Sequence, residues 1–165
     1  MASISESSGT VTFTTDTGNV AVARSTVTTT AQNDEVSFSF EVTRRILFWR
    51  VGTTAGGQEV VADAPFFPGQ HIVSFTPGAT TYYIEWRLPE VGTATLVDFE
   101  RIAPGILELE TPWAASDVPS LRHDQSLNTM WFTGAGKEMH LLERRGSSSW
   151  SLRPFRQTDG PFLPL

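Results

Sequence analysis

The chain of 165 residues contains no cysteine, which excludes a disulfide framework, thiolate zinc sites and cysteine nucleophiles. Lysine is almost absent as well: of the 12 basic residues, Lys137 is the one lysine and 11 are arginines. No apolar run approaches the roughly 18 residues that a membrane-crossing helix needs. The opening Met1-Ala-Ser-Ile-Ser-Glu-Ser-Ser8 has neither the basic nor the apolar region of a secretory leader. A formal charge of −6 without a Lys/Arg-rich stretch is a poor match to phosphate backbones. Long amphipathic helical windows are missing too.

What is present favours strands. Thr occurs 21 times, Ser 15 and Val 13, and Gly and Pro punctuate the chain at short intervals. Thr and Val lose χ1 freedom in helices and pack well on pleated surfaces. The 18 aromatic residues supply enough apolar bulk for a sizeable core. Residues 1–8 are small and polar and read as a flexible N-terminal arm. In residues 9–30, Val11 and Phe13 alternate with Thr, a turn follows at Asp16-Thr17-Gly18-Asn19, and Val20 and Val22 resume the alternation. The clearest strand is 35–43, with Val36, Phe38, Phe40 and Val42 on one face. Residues 46–51 form a strand apolar on both faces. Others follow over 58–63, 71–75, 81–88 and 93–102, separated by Pro/Gly turns at about ten-residue spacing, which indicates an antiparallel sandwich or jelly roll. Within 81–88, Tyr82, Ile84 and Trp86 alternate with Tyr83, Glu85 and Arg87, the pattern of a half-buried strand.

The character changes near residue 104. Residues 1–110 carry 13 carboxylates and 6 bases, whereas 111–165 carry 5 and 6, so the net charge moves from −7 to +1. After a short apolar segment (106–109), Thr111-Pro112-Trp113 breaks the pattern and 116–121 has room for one helical turn. Three short strands, 129–133, 139–144 and 150–155, then make a β-meander that cannot bury both faces alone. The expected architecture is therefore all-β: an arm (1–8), a β-sandwich or jelly-roll-like domain (9–104), and a block (105–165) holding the helical turn and a three-stranded meander, covered by the first domain or by another chain.

Chemistry-bearing constellations are sparse. His71, His123 and His140 fall in three separate elements, never at metal-ligand spacing. His123, Asp124 and Ser126 have the residue types of a hydrolytic triad, but neighbours on an extended chain face opposite ways. Gly134-Ala135-Gly136-Lys137 lacks the rest of a phosphate loop and reads as a hairpin turn. Carboxylates at i, i+2 (Asp98 with Glu100, Glu108 with Glu110) share a strand face and have the types for Ca²⁺ binding or acid–base work, although a solvated strand face explains them as well. Trp49, Trp86, Trp113, Trp131 and Trp150 fit either a sugar-stacking surface or core and interface packing, and packing is favoured. The arginine bias, with pairs at Arg44-Arg45 and Arg144-Arg145, suits protein–protein contacts, since guanidinium groups make bidentate carboxylate pairs.

Several segments in the second half resemble a block found in bacteriophage tail proteins. They are Leu109-Glu-Thr-Pro-Trp113, Asp117-Val-Pro-Ser-Leu-Arg122, Asp124-Gln-Ser126, Met130-Trp-Phe132, Leu142-Glu-Arg-Arg145, Ser149-Trp-Ser-Leu152 and Asp159-Gly-Pro-Phe162. The order and spacing are similar to those in tubular tail (nozzle) and stabilisation proteins of short-tailed phages, over about residues 105–165. The run Trp49…Gly52…Gly56-Gly-Gln-Glu59…Pro68-Gly…Phe75-Thr-Pro77…Tyr82-Tyr-Ile84 also looks like the β domain preceding that block in some of those proteins. In such relatives the chain usually continues well beyond Asp-Gly-Pro-Phe, whereas this sequence ends at Leu165, so the resemblance implies a shortened adaptor or one piece of a split larger subunit.

The resemblance implies a non-enzymatic structural subunit of a virion, in the tail or at the head–tail junction, with no cofactor. Its partners would be other tail or portal/adaptor proteins and further copies in a homo-oligomeric ring. DNA would pass through the channel without specific contact, and no membrane is involved. The location would be the virion tail, with the host cytoplasm during assembly. Interface roles fall on Trp113, Gln125, Trp150 and Phe162 for packing, and on Arg144 and Arg145 for ion pairing. The alternatives are a carbohydrate-binding β-sandwich of a tail appendage and a small hydrolase using Asp98 and Glu100.

Overall fold

A computed structural model describes residues 1–103 and 107–156. Ile106, the Asp159-Gly-Pro-Phe162 motif and the interface candidate Phe162 lie outside the described residues. The strands are β1 (Ser3–Ser7), β2 (Thr10–Thr15), β3 (Ala21–Thr28), β4 (Val36–Arg44), β5 (Leu47–Gly52), β6 (Val61–Phe66), β7 (Gly69–Phe75), β8 (Thr81–Leu88) and β9 (Gly92–Ile102). A 3₁₀ turn at Ala115–Ser120 follows, then β10 (Arg122–Ser126), β11 (Thr129–Gly134), β12 (Lys137–Arg144) and β13 (Trp150–Pro154).

Eight of these strands form two facing sheets, β2-β9-β4-β7 and β3-β8-β5-β6. Every consecutive connection from β2 to β9 crosses between the sheets, except the β5–β6 hairpin. That is the strand order of a jelly roll, two Greek keys folded face to face. All pairings within each sheet are antiparallel. The first sheet extends beyond the jelly roll on both sides: β1 adds to β2, and β13-β12-β11-β10 add in turn to β7, giving nine strands in all.

Alternation along the strands builds the core between the sheets. Val36, Phe38, Phe40 and Val42 of β4 meet Leu47, Trp49 and Val51 of β5 and Tyr82, Ile84, Trp86 and Leu88 of β8, all buried. Trp49 and Trp86 are register partners and stack with ring centroids 5.2 Å apart, while Phe40 meets Trp86 edge-on at 4.8 Å. Offset-stacked and edge-to-face pairs each add about 0.5–1.5 kcal/mol beyond simple burial.

Five expectations are corrected. Ser3–Ser7 is not an arm but a strand, held on β2 through a tight turn at Ser8-Gly9 whose residues both have positive φ. On β3 the inward residues at its start are Ala21 and Ala23, with Val22 and the preceding Val20 exposed. That strand forms the edge beside β8, where small residues fit opposite Trp86 and Leu88. The expected strand 58–63 lies later, at Val61–Phe66, because Glu59 is occupied in the preceding loop, accepting bonds from Thr53 N–H and Oγ at 2.8 and 2.6 Å. Pro65 is tolerated there because β6 is an edge strand. Glu85 on the outer face of β8 is 1 % exposed rather than solvated. Finally, the meander has four strands, since His123, Asp124 and Ser126 lie in β10. One sheet runs through the boundary expected at 104/105.

The junction between jelly roll and meander is built on β7 and β13. His71, 1 % exposed, has Nε2 2.7 Å from the Phe67 carbonyl and Nδ1 2.8 Å from Ser151 Oγ. A carbonyl only accepts, so Nε2 carries the proton and Nδ1 accepts from the serine. Burial pushes the His71 pKa down to about 3, with Arg145 and Arg153 acting the same way and the Phe67 carbonyl opposing. Gly69 lets the strands approach: a Cβ there would sit 2.5 Å from the Leu152 carbonyl oxygen and 2.6 Å from Arg153 Cβ. Arg145 reaches the second sheet, donating to the Pro65 carbonyl at 2.8 Å with its guanidinium 4.1 Å from the Phe66 ring centroid.

Candidate functional site

The face of the meander turned away from the aromatic core carries an apolar concavity. Ile72 pairs with Ser39 on one side and Trp150 on the other, Leu152 with Leu142, and Phe132 with His140. These residues share the face opposite Phe40. Residues 107–121 cross over it. Their first four, Leu107-Glu-Leu-Glu110, alternate half-buried leucines with exposed glutamates. Trp113 follows, its ring 5.8 Å from Phe132 and 5.1 Å from His140. The 3₁₀ turn starts where Asp117 accepts from the Ala114 N–H at 2.9 Å. Cover and sheet enclose an open cavity of about 560 Å³, lined by Ile72, Leu109, Trp113, Phe132, Leu142 and Trp150 among others. Its size falls within the roughly 300–1,000 Å³ of small-molecule and anchor pockets.

Beside it lies an acidic cleft. Both carboxylate pairs singled out in the sequence, Asp98 with Glu100 and Glu108 with Glu110, line this one space. A β-bulge sets the position of the first pair. Ser39 pairs with Glu100 and Glu41 with Val97, leaving Asp98 and Phe99 opposite Phe40 alone. Asp98 takes φ +50°, and Phe99 stacks on Phe38 at 5.1 Å. Glu41 beside the cleft has its pKa raised, first by burial and then by the charges of Asp98 and Glu110, against a hydrogen bond from Gln70 at 3.0 Å. Among the described residues, no group of three or more His, Asp or Glu side chains has the geometry to hold a metal ion.

A second ionic feature stands on the outer face of the other sheet. Glu85 receives Arg24 from β3 (Nε at 2.8 Å, Nη2 at 2.6 Å) and Arg50 from β5 (Nε at 2.8 Å, with Nη2 also in contact). Burial opposes ionisation, but the hydrogen bonds and charges of the two arginines outweigh it and hold the carboxyl below its ordinary pKa. This triad ties three strands together.

The expected interface residues divide between these places. Trp113 and Trp150 come together at the cavity. Gln125 is exposed on β10, its amide donating to the Leu127 carbonyl at 3.3 Å. Arg144 is exposed beside the β10–β11 hairpin, its backbone N–H donating to the Asn128 carbonyl at 2.8 Å and its guanidinium 6.0 Å from the Trp150 ring centroid. Arg145 lies across the junction. Among the described residues neither arginine forms an ion pair. His123 and Asp124 pair with Phe132 and Trp131 and so face opposite sides of the sheet, as local geometry requires. Ala135-Gly136 forms a two-residue hairpin with both φ positive, so the glycine-rich stretch is a turn. Trp49 and Trp86 are sealed in the core.

Sequence reasoning missed Leu127. It opens the two-residue connection between β10 and β11, has φ +52°, and is 91 % exposed. The signal was Leu127-Asn128 between two strands, visible only once β10 is recognised as a strand. No family model, curated protein or solved structure matches this chain.

Proposed function

We propose that the chain is a structural component of a phage virion, in the tail or at the head–tail junction, acting by assembly with copies of itself and with neighbouring tail or portal/adaptor proteins. One observation carries this reading. The nine-stranded sheet ends on β1 at one side and β10 at the other, and all five residues of each are exposed. Among the described residues each edge presents an unpaired row of N–H and C=O groups, the template on which a neighbour's strand adds. Natural monomers usually blunt such edges; here charge is limited to Glu6 on β1 and to Arg122 and Asp124 on β10, beside His123. The jelly-roll frame supports the reading by analogy alone, since it serves viral capsid and lectin domains alike.

The test is quantitative mass spectrometry of phage particles purified from the source lysate. A small, fixed copy number per particle is expected. Absence of the chain from intact particles, while it accumulates in the infected cells, would refute a virion role.

A further inference from the structure

We infer that copies of this chain join head to tail through a knob and a pocket, with Leu127 at the tip of the β10–β11 hairpin seated in the apolar cavity beneath residues 107–121 of the next copy. The inference rests on the assembly reading above and adds to edge pairing a second contact between copies.

The knob is unfavourable in the isolated chain on two counts. A leucine at φ +52° occupies the region that glycine fills in two-residue hairpins, where the Cβ of a bulky residue crowds the backbone. The same side chain is 91 % exposed, the most exposed of the large hydrophobic residues described. Glycine would relieve both penalties. Within one copy Leu127 belongs neither to the core nor to the residues packed against it, and it does not line the copy's own cavity.

The pocket has the complementary properties. Its volume of about 560 Å³ exceeds a leucine side chain and admits the hairpin tip around it. Its walls are aromatic and aliphatic, and Val118 at its rim is 61 % exposed. Charge matches as well. Residues 107–121 carry Glu108, Glu110 and Asp117 and no base, whereas the hairpin base presents the exposed Arg144, bonded through its backbone to Asn128. An acidic cover over an apolar hole suits an apolar tip flanked by an arginine.

Knob and pocket are different patches of one molecule, so the contact is heterologous. Each joined pair leaves one free knob and one free pocket, and the series closes into a ring or runs on as a filament.

The test is light scattering after size exclusion over a concentration series, with Trp emission recorded in parallel because Trp113 and Trp150 line the pocket. Wild type is expected to assemble beyond its 18.1 kDa monomer as concentration rises, with a shift in Trp emission. Leu127→Asp (knob lost) and Val118→Asp (pocket rim charged) should each weaken self-association roughly tenfold to a hundredfold. Leu127→Gly should do the same while melting no lower than wild type, which separates loss of contact from loss of fold. Mixed in equal amounts, the two Asp variants retain one intact knob and one intact pocket and should stop at a pair, twice 18.1 kDa. A wild type that stays monomeric at every concentration, or a Leu127→Asp variant that assembles as well as wild type, overturns the inference. Neither result touches the virion role, which stands or falls on presence in purified particles.

Discussion

Acidification from pH 7 to pH 4 should destabilise this protein by about 3 kcal/mol through His71 alone. The imidazole is buried, donates from Nε2 to the Phe67 carbonyl and accepts at Nδ1 from Ser151, so its neutral form is fully satisfied and its cation is not. Its folded pKa of about 3 lies below the ordinary 6.5. A base whose pKa is depressed by folding binds its proton more readily in the unfolded chain. Its stabilising contribution is therefore complete above pH 6.5 and is lost as pH falls from there toward 3. Each pH unit in that window costs about 1.4 kcal/mol, and two and a half units lie between 6.5 and 4. The assay is urea unfolding followed by Trp fluorescence at constant ionic strength, for wild type and His71→Gln, whose amide can keep both hydrogen bonds without titrating. The difference between the two isolates His71 from the carboxylates. Wild type should lose about 3 kcal/mol relative to the variant between pH 7 and pH 4. A difference that does not move with pH, or an NMR titration placing the His71 pKa near 6.5, would refute the reasoning.

Gly69→Ala should cost about 1–3 kcal/mol, because its Cβ would meet the β13 backbone, and β12–β13 amides should lose hydrogen-exchange protection before those of β4 and β8. Uniform loss of protection would mean that the junction is not the weak point. Glu85→Ala leaves Arg24 and Arg50 facing each other without their shared carboxylate. Because both guanidinium groups keep some contact with water, the expected loss is about 2–3 kcal/mol in urea unfolding, less than for a fully buried pair; a loss under about 0.5 kcal/mol would show the triad to be ornamental. Glu41→Gln should raise the melting temperature at pH 7, since the carboxyl is held above its ordinary pKa by burial and by Asp98 and Glu110. Wild type regains that stability by protonating, so the advantage of the variant should shrink as pH falls through the raised pKa and be gone below about pH 4; an advantage that persists at pH 3 would count against the electrostatic account.

Much of the fold was legible because one-sided alternation survives in β4, β8 and β9, where each strand has one face on the core. Legibility failed where local pattern and tertiary role part company. β10 is exposed along its whole length and has no apolar face to announce it. On β3 the alternation of Val20 and Val22 with alanines is real, but the strand's place opposite Trp86 selects the small face for the interior. Glu85 looks like a solvated residue until β3 and β5 bring Arg24 and Arg50 to either side, a juxtaposition of residues 61 and 35 positions away that no local window contains. The choice between a generic sandwich and a jelly roll likewise depends on which sheet each crossing strand joins.

The candidate site shows the same division at finer grain. Residues 107–110 read in sequence as a carboxylate pair on one strand face, and that reading identifies Glu108 and Glu110 as neighbours. The same two-residue period puts Leu107 and Leu109 on the opposite face. The folded chain uses both faces at once: the glutamates line the cleft that already holds Asp98 and Glu100, and the leucines roof the apolar cavity over Leu142 and Trp150. A four-residue strip thus divides an acidic groove from an apolar one. A partner that fills the second while passing the first must present an apolar tip with a cation at its base, which is what Leu127 at the β10–β11 turn and Arg144 at the end of β12, bonded through its backbone to Asn128, offer together.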